Sequence, residues 1–213
     1  MTKTILLIYA AAFSAFAQNH RAIAVTSPPK VESTRAALVQ YIWGTSWQTV
    51  VAKQPRLVDH NYKPQTDDAL PASISNLESI DRLDVGGLAA STAFVLYPAR
   101  PNLHKVVIVH HGHGCDLLDR GEHPLHLEFA IRKLVAAGYT VAAMRMPLYQ
   151  SPAHCGASRA HDKLFDLRPR AGSPVQYFME PIARTVNYLV THHAELEEID
   201  MIGLSGGGWT TTV

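Results

Sequence analysis

A doubly wound, mostly parallel α/β sheet is the fold class this sequence predicts, on three observations. After Pro101 the chain alternates patterns in the order strand, helix, strand, helix, strand. The strand runs are continuously apolar, which suits strands covered on both faces. The last of them, ending at Leu204, runs into the glycine-rich turn Ser205-Gly206-Gly207-Gly208 that opens a helix. Strands joined by helical crossovers form a parallel sheet with helices packed on it. Ligands on such a sheet bind outside the carboxyl ends of its strands.

The elements follow in order. The first seventeen residues carry one cation, Lys3, then an apolar run over 5–15 and the small-x-small sequence Ala15-Phe16-Ala17 before Gln18. That is the layout of a secretory signal peptide, and the run is too short to span about 30 Å of hydrocarbon. Residues 18–76 form an N-terminal lead-in: 36–43 suit a helix, and 53–71 are rich in proline and polar residues. Over 77–98 two strand-like stretches flank Gly86-Gly87, with Thr92, Phe94, Val95 and Tyr97 supplying β-branched and aromatic side chains; a hairpin of antiparallel edge strands is expected. Residues 106–109 form the first buried strand. Leu127, Ile131, Leu134 and Val135 recur at helical spacing, and Gly138 stops that helix. Residues 139–144 are the next strand. A long polar loop runs to Gly172, and Ser173-Pro174 opens a helix whose Phe178, Ile182, Val186, Leu189 and Val190 share a face, with Pro181 expected to bend or restart it. Residues 199–204 are the last strand.

Composition narrows the function. Of 213 residues 47% are apolar and 17% charged, and the formal net charge is +1, so a globular domain is expected and no field exists to draw a nucleic acid or an anionic membrane. Export to the periplasm or the medium makes a disulfide between Cys115 and Cys155 possible, since both follow predicted strands at the same sheet edge. Closing that loop would stabilise by about 4 kcal/mol on a chain-entropy account.

The chemistry is carried by Gly203-Leu204-Ser205-Gly206-Gly207. A nucleophilic serine displayed at a strand's end sits in strained backbone, so small residues are required two before and two after it; Gly203 and Gly207 meet that demand. The cluster His110-His111-Gly112-His113 permits a rival metal reading, because His111-x-His113 is similar to the start of the H-x-H-x-D-H pattern of metallo-β-lactamase-like hydrolases. That match fails further on: Cys115 replaces the acid and Asp116 stands where the third histidine belongs, whereas zinc needs three or four convergent ligands. No metal and no cofactor is expected.

With antiparallel opening strands, His111-Gly112-His113-Gly114 after one central strand and the serine turn after another, residues 77–213 resemble the N-terminal portion of the α/β hydrolases, in particular serine esterases of dienelactone-hydrolase type. The resemblance implies a carboxylic-ester hydrolase acting on a small-molecule ester, with Ser205 as nucleophile. Its oxyanion hole is then built from the backbone N–H groups of Gly206 and His113, supported by His111, Gly112, Gly114, Gly203 and Gly207. Trp209 is expected to pack the elbow helix, while Tyr149, His154 and His161 belong to an exposed polar loop. In that family the acid and histidine of the triad follow the serine, but residues 206–213 contain neither. The expectation is therefore a partial domain, incomplete at its C-terminus and inactive as given, whose short elbow helix lacks support. The alternative is a binding protein of hydrolase shape. Once the signal is removed, no stable membrane insertion is expected.

Overall fold

The computed structural model describes residues 28–46, 48–49, 52–64, 70, 73–112, 127–148 and 160–212. Six strands form one sheet: β1 (Arg56–Asp59), β2 (Leu77–Asp84), β3 (Thr92–Pro98), β4 (Asn102–His110), β5 (Tyr139–Met144) and β6 (Glu198–Gly203), in the spatial order β1-β2-β3-β5-β4-β6. The helices are α1 (Pro28–Trp43), α2 (Leu127–Ala136), α3 (Gln176–His192) and α4 (Gly206–Thr212). Strand β4 pairs in parallel with β5 and β6, while β3 pairs antiparallel with both β2 and β5; β2, β4, β5 and β6 therefore point one way.

Alternation along the strands builds two cores. Val106 and Ile108 of β4, Ala142 and Met144 of β5, and Ala93 and Val95 of β3 face α3, where Ile182, Tyr188 and Leu189 close the layer. Val107, Val109, Val141, Ala143, Phe94 and Leu96 face the other way, against Leu127, Ile131 and Val135 of α2. Helices on both faces make the sheet doubly wound, as the apolar strand runs require. Helix α2 ends as expected at Gly138, whose φ of +91° a side chain would strain; its carbonyl then accepts from the Asn102 N–H, 2.6 Å away, joining the helix end to β4.

Two local expectations change. Strands β2 and β3 are interior, because β1 covers the outer edge of β2 and an Arg56–Asp84 ion pair of 3.0 Å ties the two together. Among the described strands, the edges are β1 and β6. Pro181 lies inside α3 and does not restart it. It sits close to the start, where i to i+3 bonds from Gln176, Tyr177 and Phe178 already overlap the first turn, so only one later donor is lost.

Helix α3 also holds the turn between β2 and β3. Glu180 is buried, accepts the Leu88 N–H at 2.6 Å and pairs with Arg184 at 2.7 Å, and Arg184 donates to the Gly86 carbonyl. Register places this turn beside the end of β5, since Ala93 pairs with Met144. It therefore lies at the same sheet edge as the carboxyl ends of β4, β5 and β6.

Candidate active site

Strands β4 and β6 are neighbours, and the helices that follow them lie on opposite faces of the sheet: α2 packs on the face of Val107 and Val109, while β6 turns into α4 on the α3 side, where Trp209 packs edge-on against Phe178. In sheets of this kind ligands bind outside the carboxyl ends of such strands. The two segments singled out in the sequence meet there.

Ser205 is exposed at the tip of the β6–α4 turn and has a φ of +54°, a left-handed conformation that costs a residue with a Cβ about 1–3 kcal/mol. The turn is tight because Leu204 donates back to the His110 carbonyl at 3.2 Å, Gly207 donates to Leu204 at 2.9 Å, and Trp209 begins the helix by bonding to the Ser205 carbonyl at 3.1 Å. The flanking glycines answer to this geometry. A Cβ at Gly203 would overlap the Gly207 carbonyl, and a Cβ at Gly207 would overlap the His110 carbonyl and stand 2.7 Å from the His110 Nδ1. Short as it is, α4 is held: Thr210 and Thr211 both donate to the Gly207 carbonyl, and Trp209 packs against Phe178 and Phe165. The expectation of an unsupported elbow helix gives way to this local packing, and the placement of Trp209 in it is as anticipated.

The His-Gly turn packs directly onto the serine. A Cβ on Gly112 would lie 2.7 Å from the Ser205 Cβ and 2.6 Å from the Gly206 nitrogen. Only a glycine lets the backbone after β4 come this close to the nucleophile candidate and to the N–H beside it.

Beneath this surface, His110 and His111 are almost wholly buried, and none of their four ring nitrogens makes a hydrogen bond among the described residues. Burial pushes the His110 pKa down to about 4, which nearby peptide groups offset only in part, and the His111 pKa down to about 3, with Arg145 and His110 adding to the depression. Both rings are therefore neutral at pH 7. In the sequence His111 has a supporting place in the turn and His110 figures only in the rejected metal cluster; its close approach to Gly207 makes His110 part of the same packing unit. The unbroken apolar run leading into His110 was the available sign.

His113, Gly114, Cys115, Cys155, Tyr149 and His154 lie outside the described residues, as do residues 1–17. His161 falls in a short 3-10 segment, Ala160–Asp166. Among the described residues no group of three or more His, Cys, Asp or Glu side chains is placed to hold a metal ion, and no helix is long and apolar enough to cross a membrane.

No protein-family model and no curated protein matches the chain. Solved structures do. A Bacteroides fragilis protein assigned as an acetyl xylan esterase superposes with a TM-score of 0.54 at 15% identity, covering 86% of this chain and 50% of its own. A glucuronoyl esterase from Solibacter usitatus gives 0.41 at 12% identity, covering 88% of this chain and 56% of its own, too distant to carry an argument. This chain thus spans about half the length of the first neighbour. At such identity the likeness speaks to architecture alone: the fold is α/β, of the α/β-hydrolase type.

Proposed function

We propose that this chain carries the nucleophile-bearing portion of a serine hydrolase acting on small-molecule carboxylic esters. The observation that carries the reading is the left-handed, exposed Ser205 at the strand end with the Gly112 turn packed against it and against the Gly206 nitrogen. Attack by the Ser205 Oγ on an acyl carbon forms a tetrahedral oxyanion. Backbone N–H groups fixed beforehand around that oxygen stabilise it by several kcal/mol, about 3 for a single donor. Gly206 and His113 are the proposed donors, with the glycines allowing close approach. Collapse expels the alcohol and leaves an acyl-serine, which water hydrolyses.

The Ser205 proton must pass to a base. His110 and His111 are poor candidates, because both rings are buried while Ser205 is exposed. A histidine steadied by an acid is required from elsewhere, and residues 206–213 provide neither. The test is made on protein in which both follow Ser205 in the chain. A fluorophosphonate probe is expected to label Ser205, and Ser205→Ala to abolish labelling and ester turnover together. Turnover unchanged in the alanine variant overturns the assignment, and absence of any labelling favours a non-catalytic binding protein of this fold.

Export and the Cys115–Cys155 bond belong to the same proposal, supported by the N-terminal sequence pattern. Mass spectrometry of unreduced exported protein checks both: a mature chain starting at Gln18 and a linked pair of cysteine peptides are expected, whereas an intact leader or two freely alkylated thiols reject the corresponding half.

A further inference from the structure

Helix α4 covers a buried base. His110 ends β4 fully buried, and a Cβ on Gly207 of α4 would stand 2.7 Å from its Nδ1. The cover is slight. Helix α4 has seven residues, and the hydroxyls of Thr210 and Thr211 bond within it, to the Gly207 carbonyl. It meets the body through Trp209 against Phe178 and Phe165, through Gly207 on His110, and through Gly207 and Thr211 close to Gly203 of β6. A helix this short keeps its shape only while it is packed.

The surroundings of His110 tolerate a neutral ring and oppose a charged one. An imidazolium carries two N–H donors and a positive charge, yet neither ring nitrogen has a hydrogen-bond partner among the described residues. On β6 and α4 the facing groups are Gly203, Leu204, Gly207, Thr210 and Thr211, none of them titratable. His111 follows on β4, and Arg145 lies past Met144 of β5; neither offers a negative charge. The buried acid of α3, Glu180, is already bound to Arg184 and to the Leu88 N–H. Burial dominates the ring's titration, opposed only by peptide groups. A proton is therefore accommodated only by bringing water to the ring. Lifting α4 does this for the loss of few contacts, whereas any other opening must part β4 from its neighbours β5 and β6 in the middle of the sheet.

We propose that α4 and the Ser205 turn open as one unit when His110 takes a proton, an acid-driven release that withdraws the serine while the sheet stays folded. The release is a property of the turn and holds whether or not Ser205 reacts. With the ring at its ordinary value of 6.5 when open and about 4 when closed, opening is unchanged above pH 6.5 and grows about tenfold per pH unit below it, levelling off near pH 4. A second acid-sensitive contact lies elsewhere on β6, where Lys105 pairs with Glu198 and Asp200. Hydrogen exchange between pH 7 and 4.5, corrected for intrinsic rates, tells them apart. The amides of Leu204, Gly207 and Trp209, whose bonds hold the turn, are expected to lose protection about fiftyfold or more, those of α3 and β5 far less, and a return to pH 7 to restore it. His110→Phe and His110→Gln, neither of which titrates, are expected to abolish the loss; should neither fold, the pattern in the unsubstituted protein decides. Protection that falls equally throughout, falls first at 198–202, persists at the turn down to pH 4.5, or is lost to the same degree in a folded His110 variant overturns the proposal.

Discussion

The two ends of the sheet are held by opposite means. At the carboxyl end, around Ser205, backbone meets backbone: glycines at 112, 203 and 207 leave no room for a Cβ, and the buried imidazoles of His110 and His111 lack hydrogen-bond partners among the described residues. At the other end, side chains do the holding, with Asp81 bonded by His60 and Tyr188. Close backbone packing displays a serine and its neighbouring N–H rigidly, but it cannot yield to substitution. A side-chain network joins the sheet to α3 and loses its bonds one at a time. The first end should therefore fail abruptly and the second in increments.

Acid exposes the largest difference. Below pH 6.5 an unfolded chain protonates histidines that the folded protein holds neutral, so stability falls as the pH drops toward the folded values of about 4 for His110 and about 3 for His111. His193, also depressed by burial, adds in the same direction. At about 1.4 kcal/mol for each tenfold change, lowering the pH from 7 to 4.5 should remove about 5 kcal/mol from the His110–His111 pair. Urea unfolding across that range measures it, above the pH at which most carboxylates titrate. A flat profile, or a His110 ring proton that titrates near pH 6.5 by NMR, would show that these rings are not buried as described.

Substitution sharpens the same comparison. Gly207→Ala drives a Cβ into the His110 carbonyl, a main-chain atom with no freedom to move aside, and is expected to cost at least about 3 kcal/mol. Tyr188→Phe removes one hydrogen bond to a buried carboxylate and should cost about 1.5–3 kcal/mol while leaving Ser205 labelling intact. Equal losses in chemical denaturation, or loss of labelling in Tyr188→Phe, would abolish the distinction between the two ends.

How much of this was readable in the chain follows from the range of each interaction. Helix α2, strand β5 and the glycine spacing around Ser205 are local patterns, and the structure has them where periodicity and steric need put them. Strand β1 was not legible: Arg-Leu-Val-Asp is short, mostly exposed and set among polar residues, and becomes a strand only because β2 offers an edge and Asp84 a partner for Arg56. The α3 face looked apolar in sequence, yet Glu180 and Arg184 are buried on that helix because they satisfy each other and the turn between β2 and β3. The Asp81–Tyr188 bond spans 107 positions, beyond any periodicity. At the candidate site the serine turn was legible through its glycines, whereas the burial of His110 depends on Gly207 of α4 packing against it from the far end of the chain.

The smallest predicted effect is a gain, and it separates display from stability at a single residue. Ser205 holds a φ of +54° while its side chain faces solvent and makes no hydrogen bond among the described residues, so the conformation is strained without a local interaction to offset it. Glycine adopts that region at no steric cost but adds freedom to the unfolded chain; these terms oppose each other at about 1–3 and 0.5–1 kcal/mol. Ser205→Gly should therefore stabilise by about 1 kcal/mol, whereas Ser205→Ala keeps the Cβ and the strain and should leave stability within about 0.5 kcal/mol of the parent. Both should lose probe labelling. Urea midpoints for the three proteins at pH 7 decide the matter: if Ser205→Gly is no more stable than Ser205→Ala, the left-handed turn is not a store of strain, and the glycines around it are needed for space alone.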